Sequence, residues 1–348
     1  MSSAALGLLN LPAPTEAQTP RPQASMPTPS ASALMDVFGL KYPIFQGPAG
    51  GLALASAMSN AGALGHVGLW MLPPEMARTV VTQLRSQTKQ PFIVNYLLSF
   101  EPQSLPAALD AGAPIVQFSW GLPNNEAITA VRQAGAKFGV QIGTAQGAQA
   151  AFDLGADYLV AQGNEAGGHV QSSTPLYELL PRVLEVAKSI PVLVAGGISN
   201  GVQLRTALEA GAAGALIGTR LMATQESDAH DDYKAALVAA EASDTAMSVC
   251  FQDGWPGATH RTLRNDTLVR WETAGCPPVG RRPGEGDVVA TRPDGATIAR
   301  YSPVPPLRGF QGTVTDLAMY AGMGVGNVRD IPTAQELVVR IWKECLAG

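Results

Sequence analysis

Apolar residues in this chain fall into short, nearly unbroken blocks, separated by longer segments of helical composition that close at a glycine. The blocks are Tyr42–Gln46, Ala63–Gly68, Phe92–Leu97, Ile115–Trp120, Phe138–Ile142, Tyr158–Gln162, Val192–Ala195 and Ala215–Ile217. Continuous apolar runs of this length, without polar alternation, predict parallel strands covered on both faces. The segments between them predict helices over Leu52–Ala61, Pro74–Gln87, Leu105–Ala111, Asn125–Ala134, Ala145–Leu154, Tyr177–Ser189 and Gly201–Ala210. Most end in Ala-Gly or Leu-Gly, a C-cap signal. The phrase Ala-Gly-Ala closes three of these segments, at Ala111-Gly112-Ala113, Ala134-Gly135-Ala136 and Ala210-Gly211-Ala212. Alternating units at this pitch predict an α/β fold, a (β/α)8 TIM barrel. A doubly wound open sheet is the structural competitor, but its GxGxxG loop after the first strand is missing.

The rhythm fails at both ends. Residues 1–35 open with a stretch rich in Pro, Ser, Ala and Thr, read as a disordered extension. Its apolar piece Ala4–Leu11 has no basic residue before it, which speaks against a signal peptide. The barrel is assigned to 36–249, with a helix over Asp231–Ala242. Residues 250–315 are Pro- and Gly-rich and form an irregular insertion after strand eight, expected to cover the barrel mouth. Within it, Val288–Ile298 reads as a hairpin around Pro293-Asp294-Gly295. Residues 316–348 return to the barrel and its last helix, Ala334–Cys345.

Composition narrows the function. Apolar residues make up 46% of the 348, charged ones only 15%, and the net charge is -5. A nucleic-acid partner, which calls for a basic face, is disfavoured. The three cysteines form no CxxC pair or Cys/His cluster, so no structural metal and a reducing, cytoplasmic setting are expected. No apolar run reaches the ~18 residues of a membrane helix. The pattern leaves the oligomeric state open, with a homodimer as one option.

In a barrel the strand ends share one face, so the candidates converge there: Gln46-Gly47-Pro48, Asn95, Gln117 to Trp120, Gln141, Gln162 to His169, Gly196-Gly197 and Gly218-Thr219. They are rich in amides and glycine and poor in charge. Paired carboxylates and His pairs are missing, so metal hydrolysis and glycosidase chemistry lose support. Amides and backbone N–H groups suit a large planar ligand with polar edges. The glycines ending strands seven and eight hold the usual phosphate position of such barrels. His169 follows the glycine pair Gly167-Gly168 on the loop after strand six, and its ordinary pKa suits proton transfer. Among the other histidines, His66 reads as a core residue, His230 as a solvated helix start and His260 as a residue of the insertion within reach of the pocket, with surface placement preferred. Glu165 reads as an acid, as a partner of a helix N-terminus or as one side of a salt bridge.

The segments Phe45-Gln46-Gly47-Pro48, Ala161-Gln162-Gly163-Asn164-Glu165-Ala166-Gly167-Gly168-His169, Val194-Ala195-Gly196-Gly197-Ile198, Ile217-Gly218-Thr219-Arg220 and Met319-Tyr320-Ala321-Gly322-Met323-Gly324-Val325-Gly326 resemble, in order, those of the nitronate monooxygenases. The resemblance implies FMN on a TIM barrel, held by Asn95, Gln162, Gly167, Gly196, Gly197, Leu216, Ile217, Gly218 and Thr219, with Gln46, Gly47 and Pro48 lining it. It implies His169 as the base taking the α-proton of a nitroalkane. The flavin would then oxidise the nitronate by one electron, and oxygen would complete the reaction to a carbonyl compound and nitrite. The partners implied are thus a small-molecule substrate and oxygen. The Glu-Ala-Gly-Gly-His segment is also similar to that of the flavin-dependent enoyl-ACP reductases, so an NAD(P)H-dependent reductase is the alternative enzyme. A flavin-binding protein without turnover is the non-enzymatic one. Three departures from the family's pattern stand out. Ser119, beside Trp120 in the expected substrate pocket, stands where many members have His. Met323 replaces a common Gln, and Val170-Gln171 replaces the usual pair after the histidine.

Overall fold

The computed structural model describes residues 26–347. The apolar runs pair side by side into a single eight-stranded parallel sheet. Its strands are Ile44–Gln46, Gly65–Gly68, Phe92–Leu97, Ile115–Ser119, Lys137–Ile142, Tyr158–Gln162, Val192–Ala195 and Gly214–Ile217. From the second strand to the eighth each pairs with the next in the chain, and the first pairs with the eighth through Ile44↔Ala215 to Gln46↔Ile217. The last gap, between the first and second strands, is bridged at Phe45↔Leu64, with Gln46 N donating to Leu64 O at 2.9 Å and Leu64 N to Ile44 O at 3.0 Å. The sheet is therefore a barrel with its helices outside, as expected from the pattern. The expected helices occur with ends shifted by at most three residues, Gly51–Ala61 and Leu176–Ala187 among them.

The core has two shells. Outward-facing strand residues such as Val94, Val116, Val140, Leu159 and Val194 pack against the helices. Inward-facing ones, including Phe45, Ile93, Tyr158, Leu193 and Leu216, fill the barrel itself. Leu34 and Phe38 join this inner cluster. They come from helix Pro29–Phe38, which begins inside the stretch expected to be disordered. That expectation is corrected from residue 29 onward; residues 1–25 lie outside the described residues. Thr28 caps the helix by accepting from Ala31 N, proline sits at its first position, and Gly39 ends it at φ 65°. Ala31, Leu34 and Phe38, at i, i+3 and i+7, give it one buried face. The short helix is hard to read because its apolar stripe has few members and lies beside a proline-rich tract.

Phe38 meets Phe45 and Tyr158 edge to face, at centroid distances of 5.8 and 5.5 Å. Phe38→Ala is expected to cost about 3–5 kcal/mol, seen as a lower urea midpoint. An unchanged midpoint would detach this helix from the folded unit.

The region after strand eight is less irregular than the sequence suggests. Thr245–Ser248 pairs antiparallel with His260–Leu263, which pairs in turn with Gly168–His169 of the loop after strand six. The hairpin forms from Val288–Thr291 and Thr297–Ala299, with Gln311–Gly312 added at its other edge. Strands this short leave no readable periodicity. Buried arginines tie the region together. Arg300 bonds Asp316 at 2.9 Å and Thr267 at 2.8 Å. Arg282 bonds Asp253 at 2.8 Å and stacks 4.3 Å from the Tyr301 ring centre. The chain closes with helix Ala334–Ala347 against helix Gly201–Glu209, where a Cβ at Gly201 would sit 2.3 Å from Ile341 O. No described helix is long and apolar enough to cross a membrane.

Candidate active site

Because all eight strands run parallel, their C-terminal ends open on one face, and the amides converge there. Gln46, Asn95, Gln117, Gln141 and Gln162 are all buried. Gln46 Nε2 donates to Ala49 O at 2.7 Å and His66 O at 3.1 Å, while its Oε1 has no partner. Asn95 Oδ1 accepts from Gln117 Nε2 and Ser119 Oγ, both at 3.4 Å, and its Nδ2 is unpartnered. Tyr158 Oη donates to Gln117 Oε1 at 3.2 Å. His66 Nδ1 lies 2.8 Å from Gln46 O, and its Nε2 is also unpartnered. Each buried polar atom left this way costs about 1–3 kcal/mol. Such a cluster at a barrel mouth suits a bound molecule with polar edges.

The glycines divide by surroundings. Gly218, ending strand eight, is exposed, and a Cβ there would meet nothing within 4 Å. Gly197 has φ 74° and a similarly open side, with Glu165 Cβ nearest at 3.6 Å. Gly196 and Gly47 are packed more closely: a Cβ added to them would lie 3.1 Å from Ala166 N and 3.2 Å from Gly218 Cα respectively. Leu216 points into the barrel and Ile217 into the outer shell, so Ile217 offers the mouth only its backbone. Thr219 Oγ1 accepts from Gly322 N at 2.9 Å, joining the strand-eight loop to the late loop. Pro48 is half-buried beside Gly47 at the first strand's end.

The loop after strand six is held by its own residues and by partners from the barrel strands, the insertion and the late loop. Glu165 accepts from Leu176 N at 3.1 and 3.0 Å, at the N-terminus of helix Leu176–Ala187; this is the helix-partner reading of Glu165. Gly167 is close-packed, since a Cβ would lie 2.3 Å from Gly322 N; its missing side chain admits the late loop. Gln162 spends both ends of its amide locally, donating to His169 O at 3.1 Å and accepting from Gln171 N at 2.9 Å. Its side chain organises the loop. Gln171, one of the departures from the family's pattern, donates to Gln141 O at 2.7 Å and accepts from Trp120 N at 2.9 Å. It thereby ties the ends of strands four, five and six together. It also steadies Trp120, whose φ of 59° is strained for a bulky residue.

His169 ends this loop inside an aromatic enclosure. Its ring lies 4.4 Å from that of Trp255, nearly parallel at 27°, and 5.5 Å from Tyr320, 5.4 Å from His260 and 6.4 Å from Trp120. Its Nε2 is buried without a partner. Burial, with a smaller contribution from neighbouring His260, pushes its pKa down to about 3, so the imidazole is neutral near pH 7. Burial likewise lowers His66 to about 3, as suits a core histidine. His230 caps helix Asp231–Ala239 by accepting from Asp232 N at 3.1 Å. The surface placement expected for His260 is wrong: it is 0% exposed and beside His169, because its strand pairs with Gly168–His169.

Trp255 escapes a sequence reading. It lies in Gly254-Trp255-Pro256-Gly257, a turn-rich phrase far from any barrel strand, and the signal was an aromatic residue where turns favour small ones. Among the described residues, no group of three or more His, Cys, Asp and Glu side chains is placed to hold a metal ion.

The family model described as nitronate monooxygenase matches residues 31–108 and 102–344. The chain belongs to the nitronate monooxygenase family. It is an enzyme of the oxidoreductase kind. A nitronate monooxygenase of Pseudomonas aeruginosa is 30% identical, over 86% of this chain and 95% of that protein. A (3aS,4S,5R,7aS)-5-hydroxy-7a-methyl-1-oxo-octahydro-1H-indene-4-carboxyl-CoA dehydrogenase of Rhodococcus jostii is 34% identical, over 70% of this chain and 69% of that protein. Among solved structures, the nitroalkane oxidase of Streptomyces ansochromogenes superposes with a TM-score of 0.73 at 27% identity, covering 90% of this chain and 98% of that one. Nitronate monooxygenase family membership thus rests on nearly the whole described chain.

Proposed function

We propose that this family member is an FMN-dependent oxidoreductase that oxidises alkyl nitronates or nitroalkanes with oxygen to a carbonyl compound and nitrite. The observation that carries the reading is His169, a neutral imidazole whose buried Nε2 has no partner, beside an amide-lined barrel mouth. The unpartnered atoms of Gln46 and Asn95 and the open glycine surfaces at Gly197 and Gly218 fit a planar cofactor with polar edges and a phosphate tail. Gln46, Gly47, Pro48 and Asn95 would line its ring system. Gly196, Gly197 and the segment Leu216 to Thr219 would hold its phosphate through backbone N–H groups. Gln162 and Gly167 would serve by shaping the loop between cofactor and substrate. When bound, FMN supplies the electron acceptor for the deprotonated substrate.

The chain's own part is the proton. His169 Nε2 takes it from the α-carbon of a neutral nitroalkane. Burial penalises the resulting imidazolium, but the nitronate formed beside it is an anion, and their attraction in a water-poor enclosure offsets that penalty. Trp120, Trp255 and Tyr320 keep water away. Ser119, bonded to Asn95, lines the substrate side without adding charge. The same proton step would serve oxidation next to a thioester carbonyl, a second reading favoured by the 34% identity to a CoA-thioester dehydrogenase.

The purified protein is expected to show a flavin spectrum and to release nitrite from nitroalkanes or nitronates in the presence of oxygen, without consuming NAD(P)H. Fast flavin reduction by NADPH or by an acyl-CoA, with no nitrite formed, would sink the reading.

A further inference from the structure

The insertion touches the candidate base through Trp255, on the short loop 251–258, and both ends of that loop meet at one side chain. Phe251 N donates to His260 Nε2 at 3.1 Å. That fixes the proton on Nδ1, which donates to Ala258 O at 2.9 Å. Both ring nitrogens of His260 are thus spent within one loop, leaving it no acid–base work of its own. We propose that His260 is a positioning residue whose imidazole clamps the 251–258 loop and so holds Trp255 flat against His169, an inference that rests on His169 being the proton acceptor.

The clamp is built onto the catalytic loop. His260 stands opposite His169 in the antiparallel pair, Val170 N donates to Thr259 O at 2.9 Å, and Thr259 Oγ1 donates to Val170 O at 3.0 Å. Within the loop, Trp255 N donates to Gln252 O at 2.9 Å and Gly257 N to Gln252 Oε1 at 2.8 Å, while Asp253 is anchored on Arg282 at 2.8 Å. Trp255 is wedged between Phe100 at 5.3 Å, Trp120 at 4.8 Å and His169 at 4.4 Å. A ring stacked on the face of an imidazole fixes its plane yet leaves the in-plane lone pair of Nε2 free. Trp255 therefore sets the direction from which His169 takes a proton, and His260 sets Trp255.

The test uses the flavin-loaded full chain with His260→Phe, which keeps a ring but removes both hydrogen bonds, and His260→Gln, which restores one donor and one acceptor. Hydrogen exchange is followed in peptides spanning 250–259. His260→Phe is expected to speed exchange there about tenfold, with barrel peptides unchanged and His260→Gln in between. With a neutral nitroalkane, kcat is expected to fall about tenfold in both His260→Phe and Trp255→Ala, with no further loss in the double variant, and with preformed nitronates to change little. Unchanged exchange at 250–259, or losses that multiply in the double variant, would overturn the proposal. Wild-type protein that releases no nitrite refutes the nitroalkane reading instead, and the exchange data still decide the clamp.

Discussion

His169→Ala is expected to lower turnover of neutral nitroalkanes by about 10²–10⁴-fold while leaving the flavin bound and preformed nitronates much less affected. The asymmetry follows from where the proton is. A neutral nitroalkane must lose it in the enclosure, and the acceptor proposed for it is His169 Nε2, which is buried without a partner. A preformed nitronate has lost it already. The flavin should stay because its proposed contacts lie on Gln46, Asn95 and the glycines of strands seven and eight, none of which bonds to the imidazole of His169. The check is nitrite release from each substrate form at saturating oxygen, with flavin content read from absorbance. Equal loss on both forms would remove His169 as the base. A colourless variant would make the residue structural.

The second large effect is on stability. His66, His169 and His260 are held neutral by burial, with pKa values pushed down to about 3, 3 and 4. In the unfolded chain each would titrate near its ordinary ~6.5. Below that value the unfolded state binds more protons than the folded one, so stability falls as pH falls. The loss begins near pH 6.5 and continues until the folded-state values are reached. Three protons correspond to a slope of at most about 4 kcal/mol per pH unit, set against a typical total of about 5–15 kcal/mol. A loss of up to about 10 kcal/mol is therefore expected by pH 4, comparable to the whole of that total. Urea midpoints at pH 7, 6 and 5 should decline steeply, and His260→Phe should flatten the decline. A midpoint independent of pH across that range would show that these rings become protonated inside the fold.

The barrel was legible because each of its units carries its own local signals. A continuous apolar run, a helical segment and a closing glycine repeat often enough that no single misreading changes the outcome. The strand ends were legible for the same reason: once the strands are parallel, Gln46, Asn95, Gln162, Gly197 and Gly218 must share a face. Helix Pro29–Phe38 was missed because its buried face consists of Ala31, Leu34 and Phe38, and it gains meaning only from the barrel floor it fills. The site was legible in its centre and only partly in its walls.

What distinguished the two was range. His169 lies within a few residues of its strand, so adjacency placed it. Trp255 reaches it from far along the chain, through His260–Leu263 pairing with Gly168–His169, and neither partner is long enough to announce a strand. Gln162 and Gly167, read as ligand contacts, also meet Gln171 on their own loop and Gly322, which only folding brings beside Gly167. Local composition determined the barrel, its glycine-lined mouth and the histidine at the end of strand six. The tertiary structure decided which polar groups are already satisfied and which remain open, because hydrogen-bond partners in a packed interior come from whatever folding places within about 3 Å, at any distance along the chain.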